Sequence, residues 1–222
     1  MSDWPQNTHP SNKMTQPWKF DATVAETFVT HARQHIPNYD LVIDKCVSLC
    51  EWYLEEDSRI IDVGCATSET LGRLHQAGFN NLTGVEASHA MLQHCDYNIA
   101  NIIHSDRFPN QSFDGVLCNW TLHFIEDKEK YLIDIHRNLS DNGMFILSEK
   151  TSLDPTAINH YHAWKLAQGV TLEEIEAKAA AVKDVMFIRD PKWYLDTLAW
   201  IGFKNIQIID ASWCFTTFMC YK

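Results

Sequence analysis

The chain has 222 residues, of which 45% are hydrophobic, and a formal net charge of −11. That size and apolar content suffice for the core of one α/β domain, whereas the negative charge disfavours a protein that binds nucleic acid through general attraction to phosphates. No apolar run reaches about 18 residues, and the seven cysteines form no Cys-x-x-Cys pair, so we expect a soluble cytoplasmic protein with reduced thiols and neither a membrane span nor a metal site.

The chain opens with a polar, proline-bearing stretch, residues 1–19, for which we predict a flexible tail, and residues 20–222 are assigned to a single domain. Asp21 is a residue type that caps helices, and the apolar periodicity that follows it stops before Pro37. The first helix is therefore expected between these two residues. A second helix is predicted at about residues 41–53.

From residue 59 to residue 148, strand patterns and helix patterns alternate. The predicted strands cover residues 59–63, 82–86, a segment near 102, 115–119 and 144–148, and the predicted helices cover residues 68–77, 88–97 and 127–139. An Asp-Asn-Gly sequence before the last of these strands predicts a turn. Such alternation is typical of a doubly wound, mostly parallel α/β sheet, in which each helix crosses over to the next strand.

The C-terminal third departs from this rhythm. Residues 154–186 predict two consecutive helices, the second opened by a Thr-x-x-Glu capping box at Thr171, and we expect them to form a lid insertion over the site. An Asp-Pro pair at Asp190 predicts the start of a further helix that ends at Gly202. Two β-rich runs, residues 203–210 and 213–221, then complete a seven-stranded sheet as a C-terminal antiparallel hairpin.

The most informative segment is RIIDVGCATSETLGRL, residues 59–74, in which a strand ends in Asp-Val-Gly and turns directly into a helix. The backbone of Gly64, Cys65 and Ala66 can face a nucleotide-like ligand across such a turn. Glu86 ends the next strand, where an acid can accept both ribose hydroxyls. A pyrophosphate needs more glycine than this turn has, which favours a phosphate-free adenosyl ligand, S-adenosylmethionine. A nicotinamide-dependent oxidoreductase stays open, because Glu86 would serve its ribose equally well.

The next strand ends supply further candidates. Asp106 follows the third strand and could accept the adenine amino group. Asn119 and Trp120 follow the fourth strand, where they could hold the amino-acid end of the ligand and pack on its adenine. His123 lies just beyond and is the candidate general base, because imidazole exchanges a proton near neutral pH; a packed structural histidine is the alternative.

The predicted lid contributes the candidates Tyr161, His162 and Trp164, aromatic and basic groups that are suited to covering a substrate. His160 and His162 stand two positions apart on a helix and do not share a face, so no metal site is predicted there. No motif identifies the substrate that would bind beneath them.

Six segments between residues 20 and 221 add to this picture when they are taken in order: FDATVAETF, IPNYD, IIDVGCATSETLGRL, LCNWTLHFIE, FILSEK and AWKLAQGVTLEEIEAK. A chain with these segments resembles the class I S-adenosylmethionine-dependent methyltransferases and, within them, the carboxy-S-adenosyl-L-methionine synthases of tRNA wobble-uridine modification. The resemblance implies a Rossmann-like methyltransferase fold and a homodimer that shares a helical lid element. It also implies that the cofactor is bound by Tyr39, the turn of residues 64–66, Glu86 with Ala87, Asp106 with Arg107, and Asn119.

One position departs from the family pattern. The resemblance implies an arginine on the lid helix, directly after a lysine, that neutralises the extra carboxylate of carboxy-S-adenosyl-L-methionine, but in this chain Ala179 follows Lys178. A buried carboxylate without its cation is costly, and lysine does not replace a bidentate arginine.

We therefore predict an S-adenosylmethionine-dependent methyltransferase that acts on a small-molecule acceptor and releases S-adenosylhomocysteine. Besides the nicotinamide-dependent oxidoreductase, two alternatives stay open. The chain could be a carboxy-S-adenosyl-L-methionine synthase in which the lid residue Lys178, or Arg189, compensates for the missing arginine. It could also be a non-catalytic protein that binds either adenosyl ligand.

Overall fold

A sheet of seven strands forms the centre of the computed structural model, which describes residues 18–222. The strands are β1 (Ile60–Val63), β2 (Leu82–Glu86), β3 (Asn101–His104), β4 (Phe113–Asn119), β5 (Leu139–Lys150), β6 (Lys204–Ser212) and β7 (Phe215–Tyr221). Their order is β3-β2-β1-β4-β5-β7-β6; β1 to β5 run parallel and β7 runs antiparallel to both neighbours. The predicted doubly wound sheet with its C-terminal hairpin is confirmed. Of the tail predicted for residues 1–19, all but Trp18 and Lys19 lies outside the described residues.

The helices are α1 (Ala22–His35), α2 (Tyr39–Tyr53), α3 (Glu69–Gln76), α4 (His89–Leu92), α5 (Lys128–Asn138), α6 (Pro155–Ala167), α7 (Leu172–Val182) and α8 (Pro191–Ile201), with a 3₁₀ turn at Leu122–Phe124. Side chains predicted to cap helices do so. Asp21 accepts a hydrogen bond from the Val24 amide at 3.1 Å at the start of α1, and Asp190 caps α8 in the same way. Gly202, with φ +114°, ends α8. None of the described helices is long and apolar enough to cross a membrane.

Both faces of the sheet are buried. On one face strand residues pack against α5 and α8, through Ile61, Val116, Phe145, Leu132 and Tyr194. On the other face they pack against α2 and α3, through Ile60, Leu117, Ile43, Cys46 and Leu71. Strands covered on both faces read as continuous apolar runs, as residues 144–147 of β5 do. Because the strand order reverses between β1 and β4, the carboxyl ends of these strands open a crevice between them.

The predicted lid consists of α6 and α7, which follow β5 in the chain. Thr171 and Glu174 form the capping box: the Thr171 hydroxyl accepts from the Glu174 amide at 3.2 Å, and the Glu174 carboxylate accepts from the Thr171 amide at 2.7 Å. On α6 the Tyr161 hydroxyl donates to the His35 carbonyl at 2.6 Å. The lid is therefore attached to the end of α1, and both elements cover the crevice.

Helix α4 is shorter than the predicted helix over residues 88–97. After its four residues the chain leaves the helical path and contacts the turn that follows β1: the Cys95 thiol donates to the Ala66 carbonyl at 3.0 Å, and the Asp96 amide donates to the Ser68 hydroxyl at 3.4 Å. Tertiary contacts of this kind outweigh a weak helix propensity.

Strand β5 begins earlier than predicted. Leu139 is opposite Phe113 and Met144 is opposite Gly115, so residues 140–143, which include the predicted Asp-Asn-Gly turn, bulge out of the strand. A bulge satisfies the same Asp-Asn-Gly sequence without ending the strand. The Asp-Asn-Gly sequence therefore marks the irregular segment correctly, but β5 begins before this segment rather than after it.

Candidate functional site

A cavity of about 580 Å³ lies at the carboxyl ends of β1, β2 and β4, beneath α1 and the lid. Most of the sequence-predicted site residues line it: Tyr39, Gly64, Cys65, Ala66, Glu86, Ala87, Asp106, Asn119, Trp120, His123, Tyr161 and Lys178. Ala179, the position that departs from the family pattern, lines it as well. The volume falls within the range of about 300–1,000 Å³ that is usual for small-molecule sites.

Three predicted residues lie outside the cavity wall. The Arg107 side chain is 87% exposed and extends into solvent. On α6 the buried positions are Tyr161 and Lys165, one helical turn apart, so His162 points away from that face. Trp164 does not line the cavity but packs behind its wall, where its ring stacks on Tyr161 with ring centres 6.1 Å apart. Trp164 is therefore the one of these three side chains that supports a residue of the cavity wall.

The turn after β1 has the shape of a glycine-rich turn although it contains one glycine. A Cβ on Gly64, where φ is +68°, would lie 2.2 Å from Thr121 Oγ1, so the position excludes any side chain. Ala66 and Ser68 have left-handed backbones, with φ +47° and +68°. Such strain costs about 1–3 kcal/mol per residue and is typical of functional turns. The turn thus carries small side chains where a pyrophosphate would need bare backbone, which fits a ligand without phosphates.

Gly64, Cys65 and Ala66 all line the cavity, but the three backbone amides of this turn donate hydrogen bonds within the protein. The Gly64 and Cys65 amides both donate to the Val85 carbonyl, at 2.8 and 3.1 Å. The Ala66 amide donates to Glu86 Oε2 at 3.0 Å. These bonds hold the turn against β2, so its contribution to binding is shape rather than free donors.

Glu86 lies at the tip of β2 and is 8% exposed. Besides Ala66 it accepts a hydrogen bond from the Ser88 amide, at 2.7 Å on Oε1. Burial raises the pKa of this carboxyl, and the two amide bonds oppose the rise. Each oxygen keeps a second lone pair, so the carboxylate can still accept two hydroxyl groups, as a ribose would offer.

Asp62, at the end of β1, lines the same end of the cavity and is 3% exposed. Burial, with the nearby charge of Glu86, raises the pKa of Asp62 to about 8. Asp106 also lines this end, but its side chain is 84% exposed. Two buried carboxyls and one exposed one make this end of the cavity acidic.

Asn119 is a buried side chain of the cavity whose hydrogen bonds are incomplete. Its Nδ2 is buried without a hydrogen-bond partner in the described part of the chain, while its Oδ1 has only the Cys46 thiol at 3.9 Å. A buried amide donor without an acceptor costs about 1–3 kcal/mol. A ligand carboxylate or carbonyl in the cavity would satisfy it. Beside it the ring of Trp120 stacks on that of Tyr39, with centres 4.9 Å apart.

His123 is 4% exposed and is held by a buried carboxylate that sequence reasoning missed. Its Nδ1 lies 3.2 Å from Glu149 Oε2, and Glu149 also accepts from the Leu122 amide at 2.8 Å and from the Tyr194 hydroxyl at 3.1 Å. Because a carboxylate only accepts, the proton of the neutral ring lies on Nδ1, and Nε2 is left able to take a proton. The end of the FILSEK segment contains Glu149, but only the sheet register shows which residues it meets.

The opposite end of the cavity is lined by basic side chains that the sequence analysis mostly missed. Lys150 ends β5, and His31 and His35 stand one turn apart on α1, with ring centres 3.9 Å apart. Burial and the charge of Lys178 lower the pKa of His31 to about 4 and that of His35 to about 3. Both imidazoles are therefore neutral at neutral pH. No group of three potential metal ligands occurs among residues 18–222.

Comparison with known proteins is consistent with this geometry. A methyltransferase domain model matches residues 61–147, which contain the turn, Glu86 and Asn119. Two carboxy-S-adenosyl-L-methionine synthases are each 30% identical to the chain. The one from Trichodesmium erythraeum aligns with 93% of this chain and 89% of its own, and the one from Actinobacillus succinogenes with 85% and 87%.

Solved structures share the fold at lower identity. Magnesium protoporphyrin IX methyltransferase from Synechocystis PCC 6803 with bound SAH has a TM-score of 0.67 at 13% identity, covering 91% of this chain and 96% of its own. A SAM-dependent methyltransferase from Archaeoglobus fulgidus has a TM-score of 0.64 at 12% identity, covering 88% and 99%. The predicted cofactor, S-adenosylmethionine, and the predicted methyltransferase class are both confirmed. The chain therefore belongs to the class I S-adenosylmethionine-dependent methyltransferases, in the family that includes the carboxy-S-adenosyl-L-methionine synthases.

Proposed function

We propose that this methyltransferase transfers the methyl group of S-adenosylmethionine to a small organic acceptor that binds in the same cavity, beneath the lid, and that it makes no carboxylated cofactor. The observation that carries the proposal is Ala179, which lines the cavity where the family resemblance implies a carboxylate-binding arginine. A methyl side chain leaves room for an acceptor and supplies no cation.

The proposed cofactor site uses the acidic end of the cavity and its middle. Glu86 accepts the ribose hydroxyls through its remaining lone pairs, and Asp106 accepts the adenine amino group. Asn119 donates its unpaired Nδ2–H to the carboxylate of the amino-acid end. The stacked rings of Tyr39 and Trp120 pack beside the ligand. The orphaned amide and the half-used carboxylate are what a hydroxyl-bearing adenosyl amino acid would complete.

When bound, S-adenosylmethionine supplies a methyl group on a positively charged sulfur, which a nucleophilic atom of the acceptor takes while the carbon–sulfur electron pair returns to sulfur. In the proposed reaction His123 accepts the proton that the acceptor loses, at Nε2. Glu149 positions the ring through Nδ1 and stabilises the imidazolium that forms. Tyr194 and the Leu122 amide in turn hold Glu149.

The alternative function is carboxy-S-adenosyl-L-methionine synthesis. Two observations favour it: the 30% identity to proteins of that name, and the presence of Lys150 and Lys178 at the same end of the cavity as Ala179. An ammonium group offers a single point of charge, however, and does not reproduce the paired donors of a guanidinium. The two functions therefore predict different retained ligands.

Mass spectrometry of the purified protein, under native conditions and after denaturation, tests the proposal. We expect S-adenosylmethionine or S-adenosylhomocysteine to be released, and S-adenosylhomocysteine to accumulate when an acceptor is supplied, which would also exclude a non-catalytic binding protein. The Ala179→Arg variant should gain retention of carboxy-S-adenosyl-L-methionine, whereas the control Ala180→Arg should not. Carboxy-S-adenosyl-L-methionine carried by the unaltered chain would overturn the proposal.

We also propose that the enzyme works in the cytoplasm as a homodimer, that its substrate partner is a small molecule, and that it requires neither a metal nor a nucleic acid. The net charge of −11 supports the last point, because nucleic-acid binding draws on clustered lysine and arginine. The dimer is supported by the family resemblance. The native mass spectrum described above also tests it, since a monomer at working concentration would contradict it.

A further inference from the structure

Three lysines from three elements come together at the lid end of the cavity. Lys150 ends β5 and Lys178 lies on α7, and both line the cavity. The Lys178 ammonium lies 3.2 and 3.3 Å from the two ring nitrogens of His31. Lys165 on α6 is buried behind them, with its ammonium 4.6 Å from the ring centre of Tyr161. Lys150 and Lys165 are close enough to Lys178 for their charges to lower its pKa.

No carboxylate balances these charges within residues 18–222. Lysines elsewhere do form salt bridges, such as Lys45 with Asp210 at 2.7 Å, but the three at the lid end form none. Glu149 precedes Lys150 in the chain, yet its hydrogen bonds go to Leu122, His123 and Tyr194. His31 and His35 are neutral and add no counter-charge.

Several charged or titratable groups surround Lys178. They are Lys150 on β5, Lys165 on α6, His31 and His35 on α1, Lys19 before α1, and the exposed Glu174 on α7 itself. Only Glu174 is acidic, and it is committed to the capping box with Thr171. Half-buried cations gathered in this way are costly unless an anion joins them, because burial and mutual repulsion both oppose the charged forms.

We propose that Lys150 and Lys178 bind a carboxylate of the methyl acceptor, so that the acceptor is an organic acid. The proposal rests on the proposed methyl transfer for the ligand's role as acceptor, whereas the anion site itself stands on the positions of the lysines. Charge also sets the orientation: the carboxylate of Glu86 at the other end of the cavity repels a second carboxylate, which leaves the lid end as its place.

The walls next to the lysines indicate the rest of the acceptor. They are apolar and largely aromatic, and consist of Phe28, Trp120, Tyr161, Ile175, Val182 and Phe215. Of the three lysines among the described residues that line the cavity, Lys19 is exposed and only Lys150 and Lys178 are partly buried. Two partly buried ammonium groups suit a singly charged carboxylate better than a phosphate with its three oxygens and greater charge. The acceptor is therefore expected to join one carboxylate to an apolar body.

Binding of this carboxylate is coupled to a proton. Burial and the neighbouring lysines lower the pKa of Lys178 to about 7, and a bound carboxylate raises it again. Acceptor binding therefore takes up a proton near neutral pH and weakens as the pH rises above about 7.

The test is calorimetric titration of the full chain saturated with S-adenosylhomocysteine. The probes are benzoate, its neutral isostere benzamide, and inorganic phosphate, each at a pH about one unit below and about two units above the Lys178 pKa of about 7. The variants are Lys150→Met and Lys178→Met, with Lys183→Met as the control, because Lys183 is exposed at the end of the same helix. Binding of S-adenosylhomocysteine to each variant reports separately on folding and on the cofactor site.

We expect saturable binding of benzoate and none of benzamide, with binding of benzoate at least about tenfold weaker in either cavity-lysine variant and unchanged in the control. Binding should be weaker at the higher pH. Equal binding of benzoate and benzamide, no binding of either, or tighter binding of phosphate would overturn the carboxylate site. If benzoate binds as expected but no acceptor is methylated, the anion site stands and the proposed methyl transfer fails.

Discussion

The two ends of the cavity are built in opposite ways. At the end formed by β1 and β2, the turn amides and Glu86 already have partners inside the protein: the turn amides donate to Val85 and Glu86, and Glu86 also accepts from Ser88. At the lid end Lys150 and Lys178 have no partner of opposite charge among the described residues. The first end is preorganised around a ligand of fixed shape, whereas the second is completed by whatever binds there.

Because of this difference, one set of residues can bind the cofactor while another set selects the acceptor. A family of enzymes that uses one cofactor can keep the preorganised end while the lid end changes, because the lid helices contribute little to the central sheet. Ala179 and the lysines lie at the lid end, and Gly64 and Glu86 lie at the end formed by β1 and β2. Substitutions at one end should therefore leave binding at the other end intact.

The largest effect is expected at Gly64. In Gly64→Ala the new methyl group would lie 2.2 Å from Thr121 Oγ1 on a backbone with φ +68°, so the free energy of unfolding should fall. Strain and overpacking together suggest a loss of about 3 kcal/mol or more, with loss of cofactor binding. Urea denaturation and calorimetry with S-adenosylhomocysteine measure both effects.

Gly72 provides the matched control for this substitution. It lies inside α3, and nothing stands within 4 Å of a Cβ placed there. Gly72→Ala should therefore leave cofactor binding unchanged and raise the free energy of unfolding by up to about 1 kcal/mol, since alanine favours a helix. Equal stability losses in the two variants would show that the turn is not the constrained element described here.

His123 lies between the two ends and should affect turnover without affecting either binding site. His123→Asn removes the proposed base, and we expect turnover to fall by about 10²- to 10⁴-fold with S-adenosylhomocysteine affinity unchanged. Tyr194→Phe is the control, because it removes another donor to Glu149 and keeps the imidazole. A similar loss of turnover in both variants would assign the effect to the Glu149 network rather than to a base.

Glu86 tests the preorganised end more directly. Glu86→Ala should weaken S-adenosylhomocysteine binding by about 1–3 kcal/mol, since it removes charge-assisted bonds to the ribose. Asp106→Ala should cost far less, because that side chain is 84% exposed. The loss at Glu86 should also shrink when the ligand lacks its ribose 2′-hydroxyl, which calorimetry with the deoxy analogue measures. Full affinity in Glu86→Ala would remove this residue from the proposed cofactor site.

The same contrast explains what could be predicted from the sequence. Gly64 directly follows β1 and Glu86 is the last residue of β2, and the local apolar pattern predicts both strands. The residues of the preorganised end could therefore be predicted one by one from the sequence. Lys150 and His31 become neighbours of the cavity only because β5 pairs with β4 and the lid docks on α1. Contacts between residues far apart in the chain produce no local periodicity of apolar residues, so a local sequence pattern does not predict them. The same reasoning accounts for His162, which neighbours Tyr161 in the chain yet lies on another face of α6.

The smallest effect is expected at Lys178 and concerns the pH dependence of stability. The pKa of Lys178 is lowered from 10.5 to about 7 in the folded protein, so between these values the unfolded chain holds a proton that the folded chain has lost. The contribution of Lys178 to the free energy of unfolding should therefore rise with pH across this window. Lys178→Met removes the titrating group and should flatten the rise, while Lys183→Met should leave it unchanged. Urea denaturation at pH about 7 and about 9 measures the slope.

Because a bound carboxylate restores the charge on Lys178, benzoate should flatten the rise in the unaltered chain as well. The same slope in all three proteins would mean that Lys178 keeps its ordinary pKa, and the lid end would then lack the unbalanced charge that distinguishes it from the end formed by β1 and β2.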